Sequence, residues 1–353
     1  MTGSAARESK SPPLLHRAKT AVLNAFEQGG GLKALRWISR RTPRILLYHR
    51  FAPRDTPRDM GVSTFERQIE FLKRKFRIFP LSDLVARKRA GEVMPANAAA
   101  ITVDDGYEDF YLYAYPVLKR HGVPATFYVV SEFVEGRQWL WPDLIEHVVR
   151  STRHPEVSFD LGPNRGRWAL GSEAERIAAW SDIADHCLTL EPEDTQELTI
   201  SLAEKLEVEI PASPSARFRA SSWEQLREMA GGGVEIGSHT CTHPRLSLAS
   251  DETLQSEIRG SKREIESRIS RPVVSFAYPH GAKGDFDARC EAAVAAAGYA
   301  SAVAGYFDPD VLGDAFAVKR ASSSPNWNTF LRIVYGLEHL QHALRPQRGD
   351  GRT

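Results

Sequence analysis

The chain has 353 residues, 42% hydrophobic and 26% charged, with a formal net charge of +1. That composition excludes collagen-like, disordered and membrane-spanning classes and suits one large α/β domain with insertions or two modest ones. Near-neutral charge without aromatic–basic interleaving also argues against a nucleic-acid partner, which needs a strong basic excess on one face. The local exception is residues 1–44, with nine Lys/Arg against Glu8 and Glu27. This predicts a solvated, partly helical arm, with peripheral contact to an anionic membrane face as the other reading. No uninterrupted apolar run follows those charges, so neither a secretory signal nor a transmembrane segment is expected. Cys187, Cys241 and Cys290 are odd in number and lack a CxxC spacing, which fits a reducing compartment. A cytoplasmic protein, at most peripheral at the inner membrane face, is the expectation.

From residue 45 onward, short apolar runs alternate with amphipathic stretches. RILLYH, STFERQIEFLKRKF, AAAITV, YLYAYPVLKRHG and PATFYVV read as strand, helix, strand, helix, strand. Phe65, Ile69, Leu72 and Phe76 share one helical face, Ser63 is the expected N-cap, and Gly122 is a helix stop ahead of Pro124. Over about 137–219 the alternation lapses into a segment with Trp139, Trp141 and acidic helical text, read as an insertion. Order returns with SSWEQLREMAGGG as a helix, VEIGSH as a strand and an amphipathic helix from Asp251 to Ile269. PVVSFAYPHG, CEAAVAAAGYASAVAG and AFAVKRAS supply three more strands and a helix, the last of them a single strand. Seven or so β/α units predict a parallel sheet covered on both faces, closed as a barrel over 45–335. Residues 336–353 are expected to finish a C-terminal helix and fray.

In parallel α/β folds the chemistry sits at the C-terminal strand ends. That filter selects His49 after RILLY, Asp104 and Asp105 after AAAITV, His239 and His243 after VEIGS, and Tyr278 to Gly281 after PVVSF. A lone DDG is usually a polar turn, and a lone pair of imidazoles four residues apart is an ambiguous ligand spacing. Together, two imidazoles and a carboxylate suit one divalent cation, zinc first and cobalt, nickel or iron as alternatives. The second carboxylate is then free to act as a base, and the cation's charge explains why two adjacent acids are tolerated.

TVDDG, HTCTH and FAYPHG together resemble the polysaccharide deacetylases, the carbohydrate esterase group sharing a homology domain with the chitooligosaccharide deacetylases of nodulation-factor synthesis. The resemblance spans about 45–330. It implies a distorted (β/α)7-type barrel and metal-dependent hydrolysis of N-acetyl groups on a glycan. It also implies Asp104 as base and Asp105, His239 and His243 as metal ligands. Many members carry Arg-x-Pro-Tyr-Gly where this chain has Ala277-Tyr278-Pro279-His280-Gly281, so the arginine that tethers the base is absent there. Arg320, ending AFAVKR, is the candidate substitute, with a surface arginine as the other reading. The late Leu-x-His motif of the general acid is not clear either, since His339 and His342 fall in a C-terminal amphipathic stretch. LLYHR matches the opening of branches in which an early histidine takes that place, so His49 is the candidate acid and His280 the second choice. Tyr107, Tyr278, His280 and Trp139 are candidate substrate contacts, Trp141 a further one, with core packing the competing reading for the aromatics. Given the expected compartment, a lipid- or nucleotide-linked amino sugar is as acceptable a substrate as a polymer. A small non-sugar amide and an inactive glycan-binding homologue are the alternatives.

Overall fold

The computed structural model describes residues 31–161, 164–212 and 214–337. Most of the basic arm, and His339 and His342, therefore lie outside the described residues. Nine strands form one all-parallel sheet: β1 (Arg44–Tyr48), β2 (Arg77–Ile78), β3 (Ala98–Val103), β4 (Ala125–Val129), β5 (Val234–Ser238), β6 (Ser275–Ala277), β7 (Ser301–Ala304), β8 (Val318–Lys319) and β9 (Ala321–Ser322). Their order is β8-β7-β6-β5-β4-β3-β1-β9, with β2 attached to β3. The fold is α/β and the sheet curls into a nearly closed barrel. The two ends of that order are neighbours in the chain, because Arg320 alone separates β8 from β9. AFAVKRAS, expected as one strand, is thus two short ones, since β8 must pair with β7 while β9 pairs with β1.

Alternate strand residues explain why AAAITV carries no polar face. Ala98 and Ala100 pack with Ile45, Tyr128, Ala277, Val303 and Val318 in one buried cluster. Ala99, Ile101 and Val103 pack with Leu46, Tyr48, Phe65 and Ile69 in the larger one, against the helices. Both faces are buried, as a parallel sheet requires, and the small alanines leave room for larger side chains within the ring.

The helix over Val62–Lys75 starts one residue ahead of Ser63, with Gly61 at its N-cap, so Ser63 lies in the first turn and does not cap it. Gly122 does end its helix, with φ 62° and ψ 40°, a left-handed conformation that costs glycine least. The helix over Asp251–Ile269 has the expected bounds, with Ser250 accepting from the Thr253 amide.

Within 137–219, helices over Trp141–Ser151, Glu173–Cys187 and Pro192–Lys205 and a hairpin of Glu156–Leu161 with Asn164–Ala169 surround a cluster of their own. Ile145, Val148, Val149, Ile183 and Leu202 form its centre. No helix among the described residues is long and apolar enough to cross a membrane.

Candidate active site

The strand ends deliver their side chains to one mouth. Asp104 extends β3 by donating its amide to Tyr48 O at 3.1 Å, and His239 extends β5 by donating to Val129 O at 2.9 Å. Past those points the backbone is forced out of regular geometry. Four of the seven described non-glycine residues with positive φ are Asp105 (81°), Thr240 (70°), His243 (65°) and His280 (62°), all in these turns. Left-handed backbone at a residue with a Cβ costs about 1–3 kcal/mol, so its concentration here marks turns held by their surroundings.

Asp105, His239 and His243 are all buried. Asp105 Oδ1 lies 3.5 Å from His239 Nε2 and 3.6 Å from His243 Nε2. His239 Nδ1 is 2.8 Å from Ala277 O, which can only accept, so the ring proton sits on Nδ1 and the Nε2 lone pair faces Asp105. Burial and the neighbouring His239 hold His243 well below the ordinary imidazole value, which keeps it neutral. One carboxylate and two neutral imidazoles, one oriented by a backbone carbonyl, form a donor set that fits a divalent cation.

Asp104 points elsewhere. Arg320, 2% exposed, donates NH1 to Asp104 Oδ1 and NH2 to Oδ2, both at 2.7 Å. The same guanidinium donates Nε to Ala304 O at 3.0 Å and NH1 to Thr102 Oγ1 at 3.2 Å. A planar fork clamping both oxygens fixes the carboxylate plane in a way a lysine cannot.

His49 is close enough to Asp105 and Asp104 for both to favour its protonated form, yet burial is the larger influence and lowers its pKa. The His280 ring stands 4.7 Å from that of His243 and 5.7 Å from Trp141, with neither nitrogen partnered among the described residues. Trp139 and Trp141 line a cleft of about 240 Å³ beside His280. Tyr107 and Tyr278 do not line it, which corrects the expectation of substrate contact. Tyr107 is 2% exposed and donates its hydroxyl to Asp143 Oδ2 at 2.6 Å; Tyr278 is 1% exposed and donates to Phe316 O at 2.9 Å. An aromatic just past a strand end packs inward as readily as it faces solvent, and the residue type does not say which.

Two supports were not read from the sequence. Glu257 accepts from the Cys241 and Thr242 amides at 2.8 and 2.9 Å and from Thr242 Oγ1 at 2.7 Å, pinning the turn between the two histidines. The available signal is a carboxylate inside the buried stripe Leu254, Ile258, Ser261, Ile265. Asp143, on the Trp141–Ser151 helix, ties that helix to the TVDDGY turn through Tyr107, whose ring lies 3.7 Å under the Arg50 guanidinium. Burial raises Asp143 to about 6.

The folded chain therefore retains a proton on Asp143 that the unfolded chain has lost, so this site makes stability fall as pH rises from about 4 to about 6. Asp109, raised to about 6 by burial, acts in the same direction. Asp143→Asn should make the decline shallower without removing it, measured by denaturant unfolding at several pH values across that window. An unchanged slope would contradict the assignment.

These features define a parallel β/α barrel with an Asp-His-His set and an arginine-clamped carboxylate at its mouth. The polysaccharide deacetylase family model matches residues 91–155 and 194–302, and the chain belongs to that family. The unmatched stretch between falls in the 137–219 segment. Similar solved structures include the deacetylase PplD of Streptococcus pyogenes, 17% identical over 86% of this chain and 98% of that one, with a TM-score of 0.52. IcaB from Ammonifex degensii is 17% identical over 84% and 97%, with a TM-score of 0.53. A de-N-acetylase from Aggregatibacter actinomycetemcomitans is 15% identical over 82% and 99%, with a TM-score of 0.53. At these identities the likeness concerns the fold. No curated protein compared with the chain matches it.

Proposed function

We propose that the chain is a metal-dependent hydrolase that removes N-acetyl groups from an amino-sugar-containing glycan or glycan precursor. The observation that carries this is the division of labour between adjacent carboxylates: Asp105 faces two imidazoles, and Asp104 is clamped by a buried arginine. A site that only bound a glycan would gain nothing from that second, costly buried charge. Asp105, His239 and His243 would hold the ion, zinc by its donor set, with cobalt, nickel or iron able to substitute. Bound there, it would supply Lewis acidity to the amide carbonyl and lower the pKa of water.

The chain's own residues do the rest. Asp104 takes the proton of the attacking water, its plane held by Arg320. The hydroxyl adds to the acetyl carbon, the carbon–nitrogen bond breaks, and the products are acetate and a free amine. The Tyr278 and Gly281 amides are already donated, to Val303 O at 3.2 Å and Pro279 O at 2.6 Å, so the amide that turn can offer an oxyanion is that of His280. His49 delivers the proton to the leaving nitrogen, with His280 the second candidate. Burial lowers the His49 pKa and opposes that role, while Asp105 and Asp104 act in its favour. His49→Ala should therefore lower kcat on N-acetyl substrates by about 10²–10⁴-fold and spare an aryl acetate, whose leaving group needs no proton. Equal losses on both substrates would remove His49 as the acid.

Metal-loaded protein should release acetate and free amine in equal amounts from N-acetylglucosamine oligomers or glycosides. Folded, metal-loaded protein releasing neither from any N-acetylated sugar would contradict the reading. We place the reaction in the cytoplasm, peripherally at the inner membrane face. The basic excess over 1–44 supports this, as do Trp37 and Ile38, 65% and 70% exposed on the helix over Gly31–Ile38.

A further inference from the structure

We infer that the substrate is an amino sugar carrying a hydrocarbon chain, and that the cleft between the 137–219 segment and the barrel mouth receives that chain; this rests on the deacetylase reading above. The rings of His239, His243, His280 and Trp141 form a continuous row, with centroids 4.9, 4.7 and 5.7 Å apart in turn, running from the proposed ligand set to the cleft wall. The cleft wall therefore adjoins a sugar held at Asp104 and Asp105, within reach of a chain carried by that sugar.

Trp139, Trp141, Leu144, Leu190, Ile200 and Ile210 supply the apolar part of the wall, beside Gln138, Gln196, His280 and three threonines, and no carboxylate lines it among the described residues. Its two guanidinium groups both donate to the protein. Arg137 NH2 donates to Glu132 Oε1 at 2.8 Å, and Arg245 donates NH1 to Leu188 O at 2.6 Å and NH2 to Gly284 O at 3.0 Å, with Asp285 3.1 Å from its Nε. Free charge to bind a phosphate is thus lacking, and the Thr195, Thr199 and Thr242 hydroxyls already donate to Cys187 O, Thr195 O and Glu257 Oε1, which leaves Gln138, Gln196 and His280 as the polar side chains of the lining open to a hydroxyl group. Indole faces can cover a pyranose ring, but aliphatic walls leave hydroxyl groups desolvated and unpaired, at a cost of about 1–3 kcal/mol each. A hydrocarbon chain incurs no such cost. Ile200 is 44% exposed on the Pro192–Lys205 helix, leaving apolar surface that such a chain would cover. The wall belongs to a segment with its own buried cluster, to which Trp141 and Leu144 also contribute, so it is a supported surface.

The test is calorimetric titration of the full-length, metal-loaded protein with the octyl and methyl β-glycosides of N-acetylglucosamine, below micellar concentration, alongside N-acetylglucosamine oligomers. The octyl glycoside should bind at least about thirty-fold more tightly than the methyl, the contribution of two to three buried methylenes. Ile200→Asp, at a half-exposed helix position, and Leu190→Gln, in a loop, should each reduce that ratio at least about five-fold, with folding checked by circular dichroism. Equal affinity for the two glycosides, tighter binding of the oligomers, or variants that keep the wild-type ratio would overturn the inference. An octyl glycoside that binds tightly but is not deacetylated would leave the cleft assignment standing and remove the deacetylase reading. Deacetylation of methyl and octyl glycosides with equal kcat/KM would do the reverse.

Discussion

Asp104→Asn should lower kcat by about 10²–10⁴-fold while metal content stays at the wild-type level. The two readouts separate because the adjacent acids face different partners. Asp105 Oδ1 lies within 3.6 Å of both imidazole Nε2 atoms, whereas both Asp104 oxygens are taken by Arg320 at 2.7 Å. Asparagine keeps the shape and one acceptor but cannot remove a proton from water. Its amide group also sets N–H donors against those of the guanidinium, so some loss of stability accompanies the loss of rate. Asp105→Asn should differ in kind, losing metal and turnover together. The base assignment does not survive an Asp104→Asn protein that retains most of its turnover.

The second large effect is expected at Arg320. Arg320→Met should cost about 3–5 kcal/mol of stability as well as most activity, because it strands the Asp104 carboxylate, 3% exposed, without its counter-charge. Thr102 Oγ1 and Ala304 O lose a donor in the same step, at the one residue joining β8 to β9. Arg320→Lys should recover part of the stability and less of the activity, since a point charge cannot span both carboxylate oxygens. In Asp104→Asn/Arg320→Met the loss of stability should fall short of the sum of the single losses by about 0.5–3 kcal/mol, the mark of a coupled pair. Additive single effects, measured by denaturant unfolding, would mean that the contact carries little energy.

The site was legible in the sequence to the extent that it follows from local rules. A parallel β/α alternation places His49, Asp104, Asp105, His239, His243 and His280 at strand ends, and strand ends of one sheet share a mouth. What depends on long-range geometry was not legible. The break in AFAVKRAS exists because the ring must close on β7 and β1 at once, a fact about two distant strands. The inward packing of Tyr278 depends on Phe286, whose ring stacks on it at 4.0 Å and 3°. Tyr107 is held by Asp143 and Arg50, 36 residues downstream and 57 upstream. The cleft has no sequence signature, because its wall gathers residues from the 137–219 segment and from the turns after β5 and β6. Glu257 was readable in principle, as a carboxylate in an apolar stripe, but what it holds is visible only once the helix docks on the HTCTH turn.

The most direct test of the account is metal content and acetate release measured on one sample, before chelation, after it, and after readdition of a divalent ion. The account predicts one equivalent of metal, turnover that vanishes with the ion and returns with it, and neither metal nor turnover in His239→Ala. Undiminished turnover in protein shown to be metal-free would contradict it.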